Sequence, residues 1–103
     1  MNPSDVRALG WERMQASLTA LRQRCYRAWQ TYGPGTTEEV ALTAGISLLT
    51  FRPRATELVQ LGLVELLKID GGEGVYQAVA RDTWERREAD RRRGRPAEQL
   101  SLL

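Results

Sequence analysis

Three polar side chains recur four residues apart between positions 52 and 60 of the chain. Arg52, Thr56 and Gln60 would share one face of a helix, because side chains at i and i+4 lie on the same side. Arginine and glutamine can each form paired hydrogen bonds with guanine or adenine, and threonine can contact the methyl group of thymine. This row therefore has the chemistry needed to read the edges of DNA bases, although similar residues also occur on helix faces that meet only solvent.

Side chains suited to catalysis or metal binding are scarce. The 103 residues include no histidine and one cysteine, Cys25, so the usual metal-site spacings and the Ser/His or Cys/His nucleophile pairs cannot be assembled. The acidic residues are scattered along the chain without a cluster. We therefore predict a protein that is not an enzyme and that uses no metal or cofactor.

A short helix is predicted just before the polar row. Thr36 stands three residues before Glu39, the spacing of a capping box, in which each side chain bonds a backbone N–H of the other residue. The helix should begin at Thr36 or Thr37. Gly45 should end it, because glycine adopts a left-handed backbone conformation without steric cost.

The helix that carries the polar row has two candidate N-caps, Ser47 and Thr50. Pro53 favours Thr50, because a proline in the first turn removes an N–H that would have no partner, whereas with Ser47 as the cap the proline would break an internal bond. We therefore expect this helix to begin at Thr50, after a looser turn. Its polar row should face outward while an apolar row is buried. The apolar row is Phe51, Ala55, Leu58 and Gly62, with Val59 beside it.

Two apolar runs follow this helix, at residues 63–69 and 75–80, around the glycine-rich sequence DGGEG. Such a pair of runs predicts a β-hairpin. Upstream, residues 18–32 carry apolar side chains at steps of three and four, which predicts a helix with one buried stripe. The order is thus three helices and a hairpin.

This order resembles the winged-helix family. More narrowly, YGPGTTEEVALTAGIS and LTFRPRATELVQLGLVEL are similar to small winged-helix proteins of bacteria and their phages, which carry the motifs G-P-x-T-x-x-E-V-A and T-x-x-P-R-x-x-E-L-x-x-L-G-L. The resemblance covers about residues 18–80 and implies a mainly α fold with a small β-hairpin (α+β), a winged helix-turn-helix. It also implies that the second helix of the motif enters the major groove of double-stranded DNA. The DNA-contacting residues would then be Thr50, Arg52, Arg54, Thr56, Gln60 and Lys68.

Both ends of the chain extend beyond the predicted winged-helix domain. Residues 1–17 predict an N-terminal helical extension, and residues 81–103 a basic helix and tail. Trp11 and Met14 are apolar residues beyond those that a minimal winged helix needs to fill its core. They either cap the core or pair with a second copy of the chain, so a homodimer is one of the two possibilities.

The last five residues resemble the peptide with which bacterial polymerases and repair proteins bind the sliding clamp. That resemblance implies that the clamp is held by Gln99, Leu100, Leu102 and Leu103, with Leu103 replacing the usual aromatic residue.

The distribution of charge is the main argument for a protein that binds other proteins and not DNA. The net charge is +2, yet residues 1–80 hold eight basic and eight acidic side chains, and residues 81–103 hold seven and five, so the tail supplies the excess. The hairpin turn carries Asp70 and Glu73 with only Lys68 nearby, whereas a wing that grips phosphate should be basic. The protein is therefore predicted to be a DNA-binding regulator of transcription or replication, or instead an interaction module that binds the clamp or another protein without DNA affinity.

The chain carries no sign of a membrane or secreted protein. No apolar run approaches the eighteen or so residues that span a bilayer, and the N-terminus lacks the pattern of a secretion signal. We expect a location in the cytoplasm of a bacterium or of a phage-infected cell.

Overall fold

The structure is a computed structural model that describes the backbone of residues 3–93 and the side chains of residues 10–93. Five helices and one antiparallel hairpin occur in this range, which confirms the predicted mainly α fold with a small hairpin. Among the helices described, none has both the length and the apolar character to cross a bilayer. The elements are α1 (Pro3–Ser17), α2 (Ala20–Tyr32), α3 (Thr37–Ala44), α4 (Leu48–Gln60), β1 (Val64–Asp70), β2 (Glu73–Ala78) and α5 (Arg81–Arg92).

The core lies where α2, α3 and α4 meet the base of the hairpin. Trp29 of α2 stacks on Phe51 of α4, with ring centroids 5.0 Å apart and planes inclined at 28°. Both side chains are fully buried, as are Val40, Leu58 and Leu63. Replacing a buried aromatic residue by alanine typically costs about 3–5 kcal/mol, so this stack is a main reason why α4 holds a fixed orientation.

The helix α3 begins and ends as predicted. The Thr36 backbone N–H donates to Glu39 Oε1 at 3.1 Å, and the Glu39 N–H donates to Thr36 Oγ1 at 3.1 Å, which completes the capping box. The bond from the Thr36 backbone is the main cause that lowers the pKa of Glu39. Gly45 ends the helix with φ of 70°, a value that a residue with a Cβ adopts only at a cost.

The predicted start of α4 was wrong. The helix begins at Leu48 with Ser47 in the N-cap position, and Pro53 lies inside it. The Ser47 carbonyl accepts the N–H groups of Thr50 and Phe51 at 3.1 and 2.9 Å. Pro53 lacks the N–H that would bond the carbonyl four residues earlier, but that carbonyl belongs to a residue at the exposed end of the helix, where water can satisfy it.

The hairpin is tighter than the sequence suggested. β1 and β2 pair in register from Val64 opposite Ala78 to Asp70 opposite Glu73, with an irregularity between Leu66 and Lys68. The turn consists of two glycines, at φ of 58° and 82°, the positive values that a two-residue turn matched to strand twist requires. The acidic residues at its tip therefore belong to the strands rather than to a loose loop.

The free edge of β2 is tied to the turn before α3. Gly35 and Tyr76 form an isolated antiparallel bridge, in which Gly35 N donates to Tyr76 O at 3.0 Å and Tyr76 N donates to Gly35 O at 2.9 Å. Trp29 Nε1 also donates to Tyr76 O, at 3.2 Å. The hairpin is thereby bonded to α2 and to the start of the helix-turn-helix.

The N-terminal helix and the C-terminal helix pack together on one side of the core. Trp11 meets Trp84 edge-on at 5.5 Å and Tyr26 at 6.3 Å between ring centroids, and Met14 packs against the same cluster. The hydroxyl of Tyr26 donates to Val79 O at 2.8 Å beneath them. Trp11 and Met14 thus cap the core, the first of the two roles considered for them.

Candidate nucleic-acid interface

Four exposed residues form a line on the outer face of α4, and we call this line the outward ridge. It consists of Leu49, Pro53, Thr56 and Gln60. Steps of four, three and four residues keep them on one side of the helix, opposite the buried face that rests on α2 and α3. Leu49 is 86% exposed, so the ridge is open to a partner from the first turn of the helix.

Few polar groups of the outward ridge are available to a partner. Thr56 Oγ1 donates to the carbonyl of Arg52 at 3.3 Å, so its hydroxyl is bonded to the helix backbone and its methyl group is left for a partner. Pro53 has no backbone N–H. Thr50 is exposed beside the ridge, and Gln60 is exposed at the end of the helix.

Arg52 lies on the side of α4 that faces the hairpin. It lines a cleft of about 410 Å³ between α4, the first turn of α3 and β2. Glu38 of α3 and Glu73 of β2 also line this cleft, so one basic side chain faces two acidic ones. A phosphate placed there would be attracted by Arg52 and repelled by both carboxylates.

Arg54 lies on the opposite side of α4, against α2. Glu57 accepts hydrogen bonds from Arg22 Nε at 3.2 Å and from Arg54 Nη2 at 3.3 Å. The bond from Arg22, aided by the charges of both arginines, lowers the pKa of Glu57 despite partial desolvation. This network orients α4 on α2, and it directs Arg54 away from the outward ridge.

A second basic surface lies near the turn between α3 and α4. Arg24 and Arg27 of α2 are exposed and line a shallow cavity of about 170 Å³ together with Ala44 and Ile46, which flank the turn. In a bound helix-turn-helix, the helix before the turn crosses the DNA backbone. The domain is therefore basic on the turn side of α4 and acidic on the hairpin side.

The hairpin itself carries few features of a phosphate-binding wing. Lys68 is exposed on β1, as predicted, but Asp70 and Glu73 are exposed at the tip. Three exposed apolar side chains also lie on β1. These are Leu66, Leu67 and Ile69, at 51%, 46% and 69% exposure.

The predicted DNA-contacting residues thus fall into three groups. Thr50, Arg52, Thr56 and Gln60 are exposed on α4, with Arg52 on the flank that faces the hairpin and Thr50 on the other flank of the outward ridge. Arg54 belongs to the ion pairs with α2, and Lys68 lies apart on the hairpin. The predicted clamp-binding residues Gln99, Leu100, Leu102 and Leu103 lie outside the described residues.

Leu49 belongs to the exposed face, and it was not among the residues predicted to point outward. A helix that begins after Ser47 places Leu49 in its first turn, in line with Pro53, Thr56 and Gln60. Choosing Ser47 as the cap would therefore have identified the outward ridge. Within residues 3–93, no group of three or more histidine, cysteine or acidic residues is placed to hold a metal ion.

Comparison with known proteins gives one informative likeness. No family model matches the chain, and no curated protein is similar to it in sequence. A solved structure with a similar fold is the homodimeric winged helix-turn-helix DNA-binding domain of a Mycobacterium bovis protein described as a possible ArsR-family transcriptional regulator. The two chains are 19% identical and superpose with a TM-score of 0.54 over 100% of this chain and 94% of the other. The chain described here therefore has the fold of a winged helix-turn-helix.

Proposed function

We propose that this protein is a non-enzymatic regulator that binds double-stranded DNA by placing α4 in the major groove. The observation that carries the proposal is the outward ridge, a continuous exposed row on a helix whose opposite face is buried and fixed by ion pairs. In a helix-turn-helix the second helix is the one that enters the groove. The DNA-binding description of the M. bovis domain with the same fold supports this assignment.

The charge distribution suggests how the duplex is oriented. Arg24 and Arg27 on the turn side can approach phosphate oxygens, which fix the register of a protein on DNA without reading its sequence. Asp70 and Glu73 repel the backbone on the hairpin side. The proposed complex therefore rests on α4 and α2, and the hairpin contributes little beyond Lys68.

A binding assay over a range of salt concentrations tests the proposal. Selection from random duplexes supplies a bound sequence, and fluorescence anisotropy then measures affinity. Wild-type binding should weaken as salt rises, because phosphate contacts release counterions. Arg52→Ala combined with Gln60→Ala should lower affinity at least about tenfold, because each base contact made through paired hydrogen bonds contributes about 1–3 kcal/mol.

The matched control is Arg86→Ala, which removes an exposed arginine of α5, a helix that packs on α1. It should leave the affinity nearly unchanged. Absence of binding by the wild type even at low salt would refute the proposal.

The alternative is an interaction module without DNA affinity. The acidic hairpin tip beside exposed Leu66, Leu67 and Ile69 favours it, because apolar residues rimmed by charge are typical of protein-docking surfaces. The sliding clamp is one proposed partner, on the resemblance of residues 99–103 to clamp-binding peptides. Deleting these five residues should abolish capture by immobilised clamp, and unchanged capture would refute clamp binding.

We also propose that the protein acts as a homodimer in the bacterial cytoplasm, with a role in transcription, or in replication if the clamp is recruited. The homodimeric state of the M. bovis domain supports the dimer. Two copies would bind two half-sites about one helical turn apart. Sedimentation equilibrium tests the dimer, and a single species at the monomer mass of 11.6 kDa at micromolar concentration would refute it.

A further inference from the structure

Leu49 is the most exposed large apolar residue in the described part of the chain, at 86%. It lies in the first turn of α4, and the N-terminal residues of a recognition helix are those that contact base edges. A leucine at this position can form no hydrogen bond with its side chain. The contact that stabilises a complex through this side chain is therefore with an apolar group, because covering a polar base edge would cost that edge its hydrogen bonds to water.

The residues that continue the outward ridge share this property. Pro53 presents a ring without an N–H, and Thr56 has its hydroxyl bonded to the Arg52 carbonyl at 3.3 Å, so the hydroxyl is engaged with the helix and the methyl group remains for a partner. Gln60, at the end of the helix, is the one member of the ridge with a side-chain amide. From the first to the third turn, the ridge thus offers apolar surface.

The major groove contains one apolar group that a protein can read, the C5 methyl of thymine. We infer that the outward ridge recognises thymine methyl groups and that Leu49 is the specificity-determining residue that makes the principal contact. This inference rests on the proposed DNA-binding function and names the bases that α4 selects. Hydrogen bonding by Arg52 and Gln60 would add to it at neighbouring positions.

Replacing thymine by uracil removes the C5 methyl and leaves base pairing and the O4 acceptor in place. The test therefore uses one duplex, selected from a random thymine-containing pool, and its counterpart with uracil at every thymine. Wild-type affinity should fall about fourfold for each methyl group that the ridge covers, the factor corresponding to about 0.8 kcal/mol per buried carbon. Leu49→Ala should lose the part of this discrimination that Leu49 supplies, so its thymine-to-uracil affinity ratio should be about fourfold lower than that of the wild type.

Leu42→Ala is the matched control. Leu42 is 81% exposed but lies on α3, off the ridge, so its loss should leave the thymine-to-uracil ratio unchanged. If uracil acted through DNA shape, Leu49→Ala would retain the wild-type ratio. Equal wild-type binding to the two duplexes, or an unchanged ratio in Leu49→Ala, would overturn the inference.

These outcomes are distinguishable from failure of the proposed function. Salt-dependent binding that is equal on both duplexes leaves DNA binding intact and refutes only the reading of thymine. No binding to either duplex refutes both. Because Leu49 is exposed, its removal should leave the unfolding temperature within a few degrees of wild type, so lost discrimination cannot be attributed to misfolding.

Discussion

Replacing Pro53 by alanine should make the protein more stable while weakening its binding to DNA. A proline is harmless in the first turn of a helix. Pro53 lies beyond that turn, as the sixth residue of α4. Its ring leaves the carbonyl of Leu49 without a helical partner. Alanine restores that hydrogen bond, and because Pro53 is exposed, little packing is lost.

The size of the effect follows from this position. Proline in a helix interior is about 3 kcal/mol less favourable than alanine. Proline also restricts the unfolded chain, which offsets about 0.4–1 kcal/mol of that difference. The net gain in the free energy of unfolding should be about 2 kcal/mol, which raises the unfolding temperature of a domain of this size by roughly 10 °C.

Urea and thermal unfolding followed by circular dichroism measure the change. Arg52→Ala, at the preceding exposed position, is the control and should alter stability by no more than about 0.5 kcal/mol. DNA affinity should fall in Pro53→Ala, because the ring forms part of the outward ridge. A variant that is less stable than wild type would show that the proline stabilises α4 and would refute the reasoning.

Three further results are expected. Stability from Glu57, whose pKa is lowered chiefly by the hydrogen bond from Arg22, should be present above the ordinary carboxyl pKa and disappear as pH falls through the lowered one. Glu57→Gln should therefore flatten the acid-unfolding profile below the ordinary carboxyl pKa, and an unchanged profile would contradict this. Glu73→Lys should tighten nonspecific DNA binding and raise the magnitude of the salt slope by about 0.9, and an unchanged slope would place the hairpin away from DNA. Tyr26→Phe should cost about 1–3 kcal/mol by urea unfolding, because the buried carbonyl of Val79 loses its donor, and a loss below about 0.5 kcal/mol would indicate that this carbonyl finds another donor.

Elements with local causes could be predicted from the sequence. The capping box at Thr36, the left-handed Gly45 and the hairpin all depend on residues within a few positions of one another, and the structure confirms each. The N-cap of α4 was predicted wrongly, because the preference of proline for the first turn of a helix was outweighed by the packing of the residues before it. Leu48 packs against the core in the first turn, and the carbonyl that loses its partner lies in the exposed Leu49.

Features with distant causes were beyond a reading of the sequence. Glu57 and Arg54 are three residues apart, but the position of their network depends on Arg22, 35 residues before Glu57. The contact between Trp11 and Trp84 joins opposite ends of the described chain. Nothing in the sequence distinguishes these contacting residues from other arginines, glutamates and tryptophans that do not meet.

The bonding of the hairpin to the core gives this protein an intrinsic optical reporter. Trp29 donates to the backbone of Tyr76 at 3.2 Å while its ring lies against Phe51 of α4. Any ligand that tilts the hairpin or shifts α4 must therefore alter the surroundings of this indole. In a variant with Trp11 and Trp84 replaced by phenylalanine, its fluorescence would register a movement of either surface without an added label.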